Sequence, residues 1–482
     1  MLRGYLSVMP DLEPPKQRDR SSFHPIVYVF GVTAAIAGML YGLGFGVSSG
    51  AQAFVQKTFG ISNGNIGILV GMLNWGAVCG TVLSGFVSRE IGRRRTIMIS
   101  ALIFFIGCIG CSLADSVLQL AITRFLVGIS LGMACFTTPL YLSEISPQKV
   151  RGVIIGFYEL LLASGILLAF LGNAWLGSYL DVNHVIGGHW RLMYLLISAP
   201  AAVLFVGVLF VPESPRWLFL KGRAEQAVLE FRRMHLSEAA IEQEVASIQA
   251  TLRGTQSALS LFRNANFRRA VGLGIGLQII QQLAGITIII TYAPRIYRMA
   301  GFTEVSQQLW GTVLCGTTHL LAVLLAILFL DKLGRKPIMY TGFVVMGLAM
   351  TSLGTLFNFD PSAHHALGVA AVLSLLVFCF GFAISAGSVI WVLCSEIFPL
   401  SGRELGITFS TATNFVVSAC IVQHFLPFSS WIGMGNAFLL IGAMNVLYIL
   451  FFMKFVPETK GVSLETIEAN LMSGKPLREL GS

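Results

Sequence analysis

Charge is what this sequence has least of. Asp, Glu, Lys and Arg make up 11% of its 482 residues, against 55% hydrophobic ones. A soluble domain carries about 25% charged residues, so an ordinary water-soluble globular chain is excluded. The sequence also lacks a GxxxxGK[ST] loop, which argues against ATP hydrolysis within the chain. No nucleophile–base constellation, metal-ligand spacing or cofactor fingerprint is visible, so an enzyme is not expected and no cofactor is assigned. The eight cysteines, Cys79, Cys108, Cys111, Cys135, Cys315, Cys379, Cys394 and Cys420, fall in apolar stretches without a disulfide framework. They read as small buried hydrophobes. Residues 1–25 are polar and carry prolines, so no cleavable signal peptide is expected and the first apolar stretch directs insertion.

What the sequence does have is apolar runs of bilayer length. Twelve occur, near 26–50, 65–88, 96–114, 117–143, 152–177, 190–211, 269–297, 308–330, 337–357, 366–395, 403–427 and 431–456. Each spanning segment must satisfy its own backbone groups, so the expected fold is an all-α membrane protein with twelve transmembrane helices. The net charge of +9 is placed by topology. Lys and Arg gather in the tails and in alternate loops: Arg89, Arg93 to Arg95, Lys149, Arg151, the 212–268 segment, Lys332, Arg335 and Lys336. The opposite loops hold Lys57, Arg191, Arg295 and Arg298. That is the positive-inside pattern, with both termini cytoplasmic in a multi-pass cell-membrane protein, the inner membrane if the source is bacterial. No basic face interleaved with aromatics is present, so nucleic acid is not an expected partner.

Two tandem halves are legible. Gly92-Arg93-Arg94 recurs as Gly334-Arg335-Lys336, Glu144 with Arg151 as Glu396 with Arg403, and Pro212-Glu213 as Pro457-Glu458. The displacement is about half the chain, which gives six helices per half. The expected organisation is a tail at 1–25, a six-helix bundle at 26–211, linker helices at 212–268, a second bundle at 269–456 and a tail at 457–482. Repeated halves around a midplane site are the signature of a secondary transporter. Arg93, Arg94, Glu144, Arg151, Glu213, Arg335, Glu396 and Arg403 form a candidate gating charge network that locks the halves and lets them rock apart.

Intramembrane charges are costly and mark functional positions. Two stand out: Arg124, on a run with Gly128 and Gly132, and Glu159 on the next run. Counting at 1.5 Å per residue, Glu159 lies about 12 Å above Arg151, Gln281 and Gln282 about 18–20 Å above Arg269, His319 about 18 Å above Asp331, and Asn414 about 16 Å above Arg403. These meet near the middle of a roughly 30 Å core. Arg124 lies about 30 Å above Glu144, too high for a direct bridge to Glu159. Gln281, Gln282 and Asn414 offer both donors and acceptors, and Trp391 and Phe415 offer apolar ring faces. Each has a bland alternative: interhelical glue for the glutamines, packing for His319 and Trp391, a structural charge for Glu159, and for Arg124 a hub joining helices one, four and five.

Taken together, Gly92-Arg93-Arg94, Arg124 with Gly128, Pro139 with Tyr141 and Glu144, Pro147 to Gly152, Pro212 to Trp217, Gln281-Gln282 with Gly285, Asp331 to Lys336, Trp391, Glu396, Arg403 and Pro457 to Lys460 resemble the sugar porter branch of the major facilitator superfamily. The resemblance covers residues 25–473. The second half is similar to the bacterial galactose–proton and arabinose–proton symporters. It implies two six-helix bundles working by alternating access, and a substrate site at Glu159, Gln281, Gln282, Thr287, His319, Trp391, Asn414 and Phe415. Several positions depart from the family. The first-helix acid of proton-linked members is Gly44 here, and Glu159 stands for a sugar-binding glutamine. Thr287 and His319 stand for asparagines, Phe415 for tryptophan and Ser388 for proline. The expected function is uptake of a monosaccharide or related polyol by a monomeric carrier. Proton coupling through Glu159, with His319 and Arg124 as further candidates, is the preferred mechanism. A proton-independent facilitator and a non-transporting nutrient receptor are the alternatives.

Overall fold

The computed structural model describes residues 26–146, 151–179, 188–233, 241, 245, 258–359, 364–399, 402–462 and 464–481. Among the described residues, twelve helices are long and apolar enough to cross a membrane. The first half holds α1 (Ile26–Phe59), α2 (Asn63–Ile91), α3 (Arg93–Ser112), α4 (Val117–Ile145), α5 (Arg151–Tyr179) and α6 (His189–Val208). The second holds α7 (Ala265–Met299), α8 (Val305–Leu333), α9 (Arg335–Asn358), α10 (His365–Glu396), α11 (Arg403–Ile432) and α12 (Met434–Phe455). Short helices at Pro215–Leu220, Ala224–Arg233 and Ala258–Arg263 belong to the linker, and Leu464–Met472 to the tail.

The helices start where the sequence supplies caps. Ser62 and Ser116 accept from the backbone N–H groups of Asn65 and Gln119, satisfying donors that a helix N-terminus leaves open. Within the first half, α2 and α4 approach through small residues. A Cβ on Gly76 would sit 2.1 Å from the Phe125 carbonyl oxygen, and one on Gly128 would sit 2.0 Å from that of Leu73. Lipid gives helices no hydrophobic reason to associate, so close backbone packing over such stripes replaces it.

Three spans are interrupted. α6 breaks at Ile197. α10 takes a π-turn at Ala383–Gly387, beside Ser388. α7 breaks at Ala284 and restarts at Ile286 after Gly285, whose φ of 110° falls in the left-handed region. Composition alone gave continuous runs at these places, because the breaks rest on backbone geometry and not on loss of apolar character.

Candidate functional site

The break in α7 frees its last turn to aim amides inward. Gln278, Gln281 and Gln282 share that turn, and all face Asn414 on α11. Asn414 Nδ2 donates to Gln278 Oε1 at 2.6 Å and to Gln281 Oε1 at 2.8 Å, and Gln282 Nε2 donates to Asn414 Oδ1 at 2.8 Å. Gln281 Nε2 also donates to the Ala386 carbonyl inside the π-turn of α10, at 2.8 Å. Thr287, just past the break, donates to Gln282 Oε1 and lies 3.4 Å from Ser418 Oγ. Ser418 in turn donates to Asn74 of α2 at 3.3 Å, so the network reaches the other half. All these side chains are buried.

The residue after Asn414, Phe415, belongs to an aromatic layer drawn from both halves. Phe415, fully buried, and Trp391, half-buried, pack with Tyr41, Phe45, Val78 and Cys135. The Tyr41 ring lies 4.9 Å from Phe45 and 6.0 Å from Phe415. Glu159 is half-buried beside the same layer, with Tyr41, Cys135 and Tyr158 as its electrostatic neighbours. It makes no described hydrogen bond to the glutamines. Its connection to them runs through the aromatic layer and the Phe415–Asn414 step.

His319 sits elsewhere than opposite Glu159. α5 and α8 run antiparallel: Gly156 meets Ile327, Ala163 packs with Ala322 and Val323, and Gly316 meets Leu167 and Phe170. This register puts Glu159 near residues 323–327, two turns or roughly 10 Å from His319. His319 instead stacks on Phe382 at 6.4 Å, and it borders a cavity of about 10 Å³ with Ile166, Phe170 and Cys379. Its Nδ1 has no hydrogen-bond partner among the described residues. The cavity has room for about one water.

Arg124 is a hub, but for other helices than expected. It donates to the Leu69 carbonyl at 3.0 Å, the Val70 carbonyl at 3.2 Å, Ser48 Oγ at 3.0 Å and the Tyr194 hydroxyl. It therefore ties α4 to α1, α2 and α6, and α5 takes no part in these bonds. Every partner among the described residues is neutral. Ser48 also donates to the Gly44 carbonyl. A Cβ on Gly44 would meet Leu131 Cδ1 at 2.9 Å, so apolar packing fills the space an acid would need there.

The repeated charges form two matching clusters at one face of the molecule. In the first half, Arg93 pairs with Glu144 at 3.0 Å, both nearly inaccessible. Ser214 Oγ donates to the same carboxylate, and Glu213 accepts from the backbone N–H groups of Arg93, Arg94 and Ser214. In the second half, Arg335 pairs with Glu396 at 2.8 Å, Thr459 donates to Glu396, and Glu458 accepts from the N–H groups of Arg335, Lys336 and Lys460. These bonds stay within a half, which departs from the expectation that they lock the two halves together. Among the described bonds at this face, one that crosses between the halves is Arg93 to Glu404 of α11, at 2.7 Å. Arg94, expected in the ion network, caps the end of α6 through the carbonyls of Val208 and Leu209. The Arg151 side chain lies outside the described residues, as do Pro147 to Val150, and Arg403 opens α11 next to Glu404.

The two capping acids titrate in opposite directions. Burial pushes Glu213 above the usual carboxylate range despite its backbone donors. Burial also raises Glu458, but the N–H groups of Lys336, Arg335 and Lys460 outweigh it and hold that group below the range. At the opposite face the halves are bridged by Gln52 to the Thr291 carbonyl at 2.8 Å and Arg295 to Asn63 at 2.9 Å.

The sequence reasoning passed over Gln278, Asn74, Ser418, Tyr41, Ser48, Tyr194 and Glu404. Gln278 had a signal, since it precedes Gln281 and Gln282 by one helical turn. The others are joined to the site by tertiary packing alone.

Comparison with known proteins places this geometry. The family model described as Sugar (and other) transporter matches residues 30–471. The galactose-proton symporter of Escherichia coli (strain K12) is 42% identical over 478 residues, covering 98% of this chain and 100% of the relative. The arabinose-proton symporter of the same strain is 39% identical over 473 residues, covering 98% of each. Polyol transporter 5 of Arabidopsis thaliana is 33% identical, covering 97% of this chain and 89% of the relative. Among solved structures, the proton:xylose symporter XylE bound to 6-bromo-6-deoxy-D-glucose superposes with a TM-score of 0.78 at 30% identity, over 95% of this chain and 99% of that one. XylE from E. coli in a partially occluded inward open conformation gives 0.77 at 29% identity, over 91% of this chain and 100% of that one.

Proposed function

The chain belongs to the sugar transporter family of the major facilitator superfamily, and on that premise we propose that it carries a monosaccharide or related polyol across the cell membrane by alternating access. The observation that carries this reading is the amide cluster at the α7 break. Gln281, Gln282, Asn414 and Thr287 are hydroxyl-matched groups held at one point, with Trp391 and Phe415 as an apolar floor beside them. The moving units are 26–211 and 269–456, joined by the 212–268 linker, and one chain suffices for the cycle. Both termini face the cytoplasm, together with the basic loops. The charge clusters of Arg93, Glu144 and Glu213, and of Arg335 and Glu396, brace each half, while Arg93 and Glu404 close the cytoplasmic side.

Transport is coupled to protons through Glu159. Named relatives include proton symporters. Gly44 removes the usual first-helix acid, and Glu159 is a carboxylate inside the span next to Tyr41 and the aromatic layer. The test uses protein reconstituted in vesicles with an imposed proton gradient and a labelled sugar. Wild type accumulates sugar against its gradient, and Glu159→Gln binds and exchanges it without the pH dependence. Gradient-driven accumulation that survives Glu159→Gln would falsify the assignment. The second reading, a proton-independent facilitator, is favoured by one observation: among the described residues, Arg124 is bonded to neutral groups only. It predicts equilibration without accumulation in the same vesicles.

A further inference from the structure

A cleft of about 600 Å³ lies away from the transport site, between the start of α7, the end of α12 and the C-terminal turn Leu477–Glu479. Its wall combines two chemistries. Arg269, Lys454 and Arg478 supply positive charge, and Leu273, Phe451 and Phe455 supply apolar surface. Arg269 and Lys454 lie at the very ends of two membrane spans, so the cleft opens at headgroup depth.

The charges are available. Lys454 Nζ lies over the Phe455 ring at 5.3 Å, and no carboxylate pairs with it among the described residues. Arg478 is 60% exposed and engages Glu479 through Nε at 3.1 Å, and its two outer nitrogens have no hydrogen-bond partner among the described residues. Among the described residues no acid lines the cleft, and Glu479 follows its wall residue Arg478. Arg269 serves the wall itself: its guanidinium donates to the carbonyls of Gly474 and Lys475, at 3.4 and 2.9 Å, and holds the tail in place. The tail is anchored further by the fully buried Leu480 and by Asn266 to the Met472 carbonyl at 3.0 Å.

The apolar side is equally unfilled. Gly272, on the exposed face of α7, would carry a Cβ with nothing within 4 Å. Phe455 and, on the membrane side of α12, Leu450 and Met453 are exposed. A free phosphate ion would use the charges and leave this wall bare. A diacyl lipid uses both, since basic pockets at the cytoplasmic ends of membrane helices are headgroup sites.

We propose that this cleft binds an anionic phospholipid, with its phosphate between Lys454 and Arg478 and an acyl chain along Gly272, Leu273 and Phe455. Bound lipid bridges α12 to the C-terminal turn and so fixes the tail against α7.

The experiment uses the full chain, purified in detergent and stripped of lipid. Phosphatidylglycerol, phosphatidylcholine and glycerol 3-phosphate are titrated separately, with bound lipid counted by native mass spectrometry and the unfolding midpoint followed in parallel. Phosphatidylglycerol is expected to bind and raise the midpoint, with the other two having little effect. Each basic group at an anionic lipid contributes about fivefold, so Lys454→Gln with Arg478→Gln should weaken phosphatidylglycerol about 25-fold. Gly272→Phe, which fills the groove and leaves the charge unchanged, should weaken it too. An equal shift from glycerol 3-phosphate would replace the lipid by a free phosphate monoester and overturn the proposal. So would equal binding of phosphatidylcholine, or wild-type phosphatidylglycerol binding in both variants.

Discussion

Arg124 brings a permanent positive charge into the membrane and spends all its described hydrogen bonds on neutral oxygens. Hydrogen bonds to a charged group are worth about 1.5–3 kcal/mol, and the loss of one inside the protein is not made good by water. Tyr194→Phe is therefore expected to lower stability by about that amount, read as a fall in the detergent unfolding midpoint. Arg124→Lys should cost more, because a point charge cannot reach two carbonyls, Ser48 and Tyr194 at once. An unchanged midpoint in Tyr194→Phe would show that this hydroxyl is not a partner of the guanidinium.

At the scale of elements, the loops Gly92-Arg93 and Gly334-Arg335 each turn a chain through a conformation with φ near 100° or 90° and ψ near 165°, a region closed to side chains. A carboxylate then closes over each glycine. A Cβ would meet Glu213 Oε2 at 2.3 Å in the first loop and Glu458 Oε2 at 3.0 Å in the second. Gly92→Ala should cost about 1–3 kcal/mol of stability from backbone strain. It should also cost more than Gly334→Ala, and thermal unfolding of the pair would reveal a reversed order. The caps also set a pH dependence. Glu458, held low, stabilises the fold above the ordinary carboxylate value and loses that contribution as pH falls through its lowered one. Glu213, held high, stabilises it most in acid and loses that as pH rises through its raised value. The stability gap between wild type and Glu458→Gln should thus close on acidification, while the gap for Glu213→Gln narrows as pH rises. Parallel pH profiles of the two unfolding midpoints would contradict this.

How much of these elements was legible in the sequence depended on how far apart the interacting groups are along the chain. Twelve helices could be read from apolar length, and the paired clusters from the recurrence of Gly-Arg and Glu-Ile-x-Pro. Midplane heights could be counted, and the gap between Arg124 and Glu159 followed from them. What helical rise cannot give is rotation and register. That is why His319 and Glu159 read as meeting near the midplane, while the α5–α8 register sets them two turns apart. It is also why Glu404, an ordinary helix-start acid in the sequence, was passed over as the residue that reaches across to Arg93. The break of α7 at Gly285 left no trace in hydropathy.

For the whole molecule, the ion pair from Arg93 to Glu404 is a joint between halves with unequal ends. Arg93 is nearly inaccessible and braced by Glu144, whereas the Glu404 side chain is 48% exposed. An exposed partner contributes only about 0–1 kcal/mol, so the joint is built to part without disturbing the brace. Glu404→Gln should therefore leave stability nearly unchanged and shift the halves toward the form open at the basic face. Spin-label distances between the ends of α2 and α11 would lengthen in that variant, and an unchanged distribution would rule the role out.

The amides at the α7 break are already each other's ligands. On the proposed reading, a sugar arriving there finds both N–H donors of Asn414 engaged and one each on Gln281 and Gln282; it must take over bonds that Asn414 and the glutamines now make among themselves. Such an exchange is close to even in enthalpy, so occupancy is set chiefly by stripping water from the solute and by shape. A carrier must release its cargo as readily as it takes it up. A site that re-knits itself behind the departing molecule supplies that reversibility without a separate ejecting device.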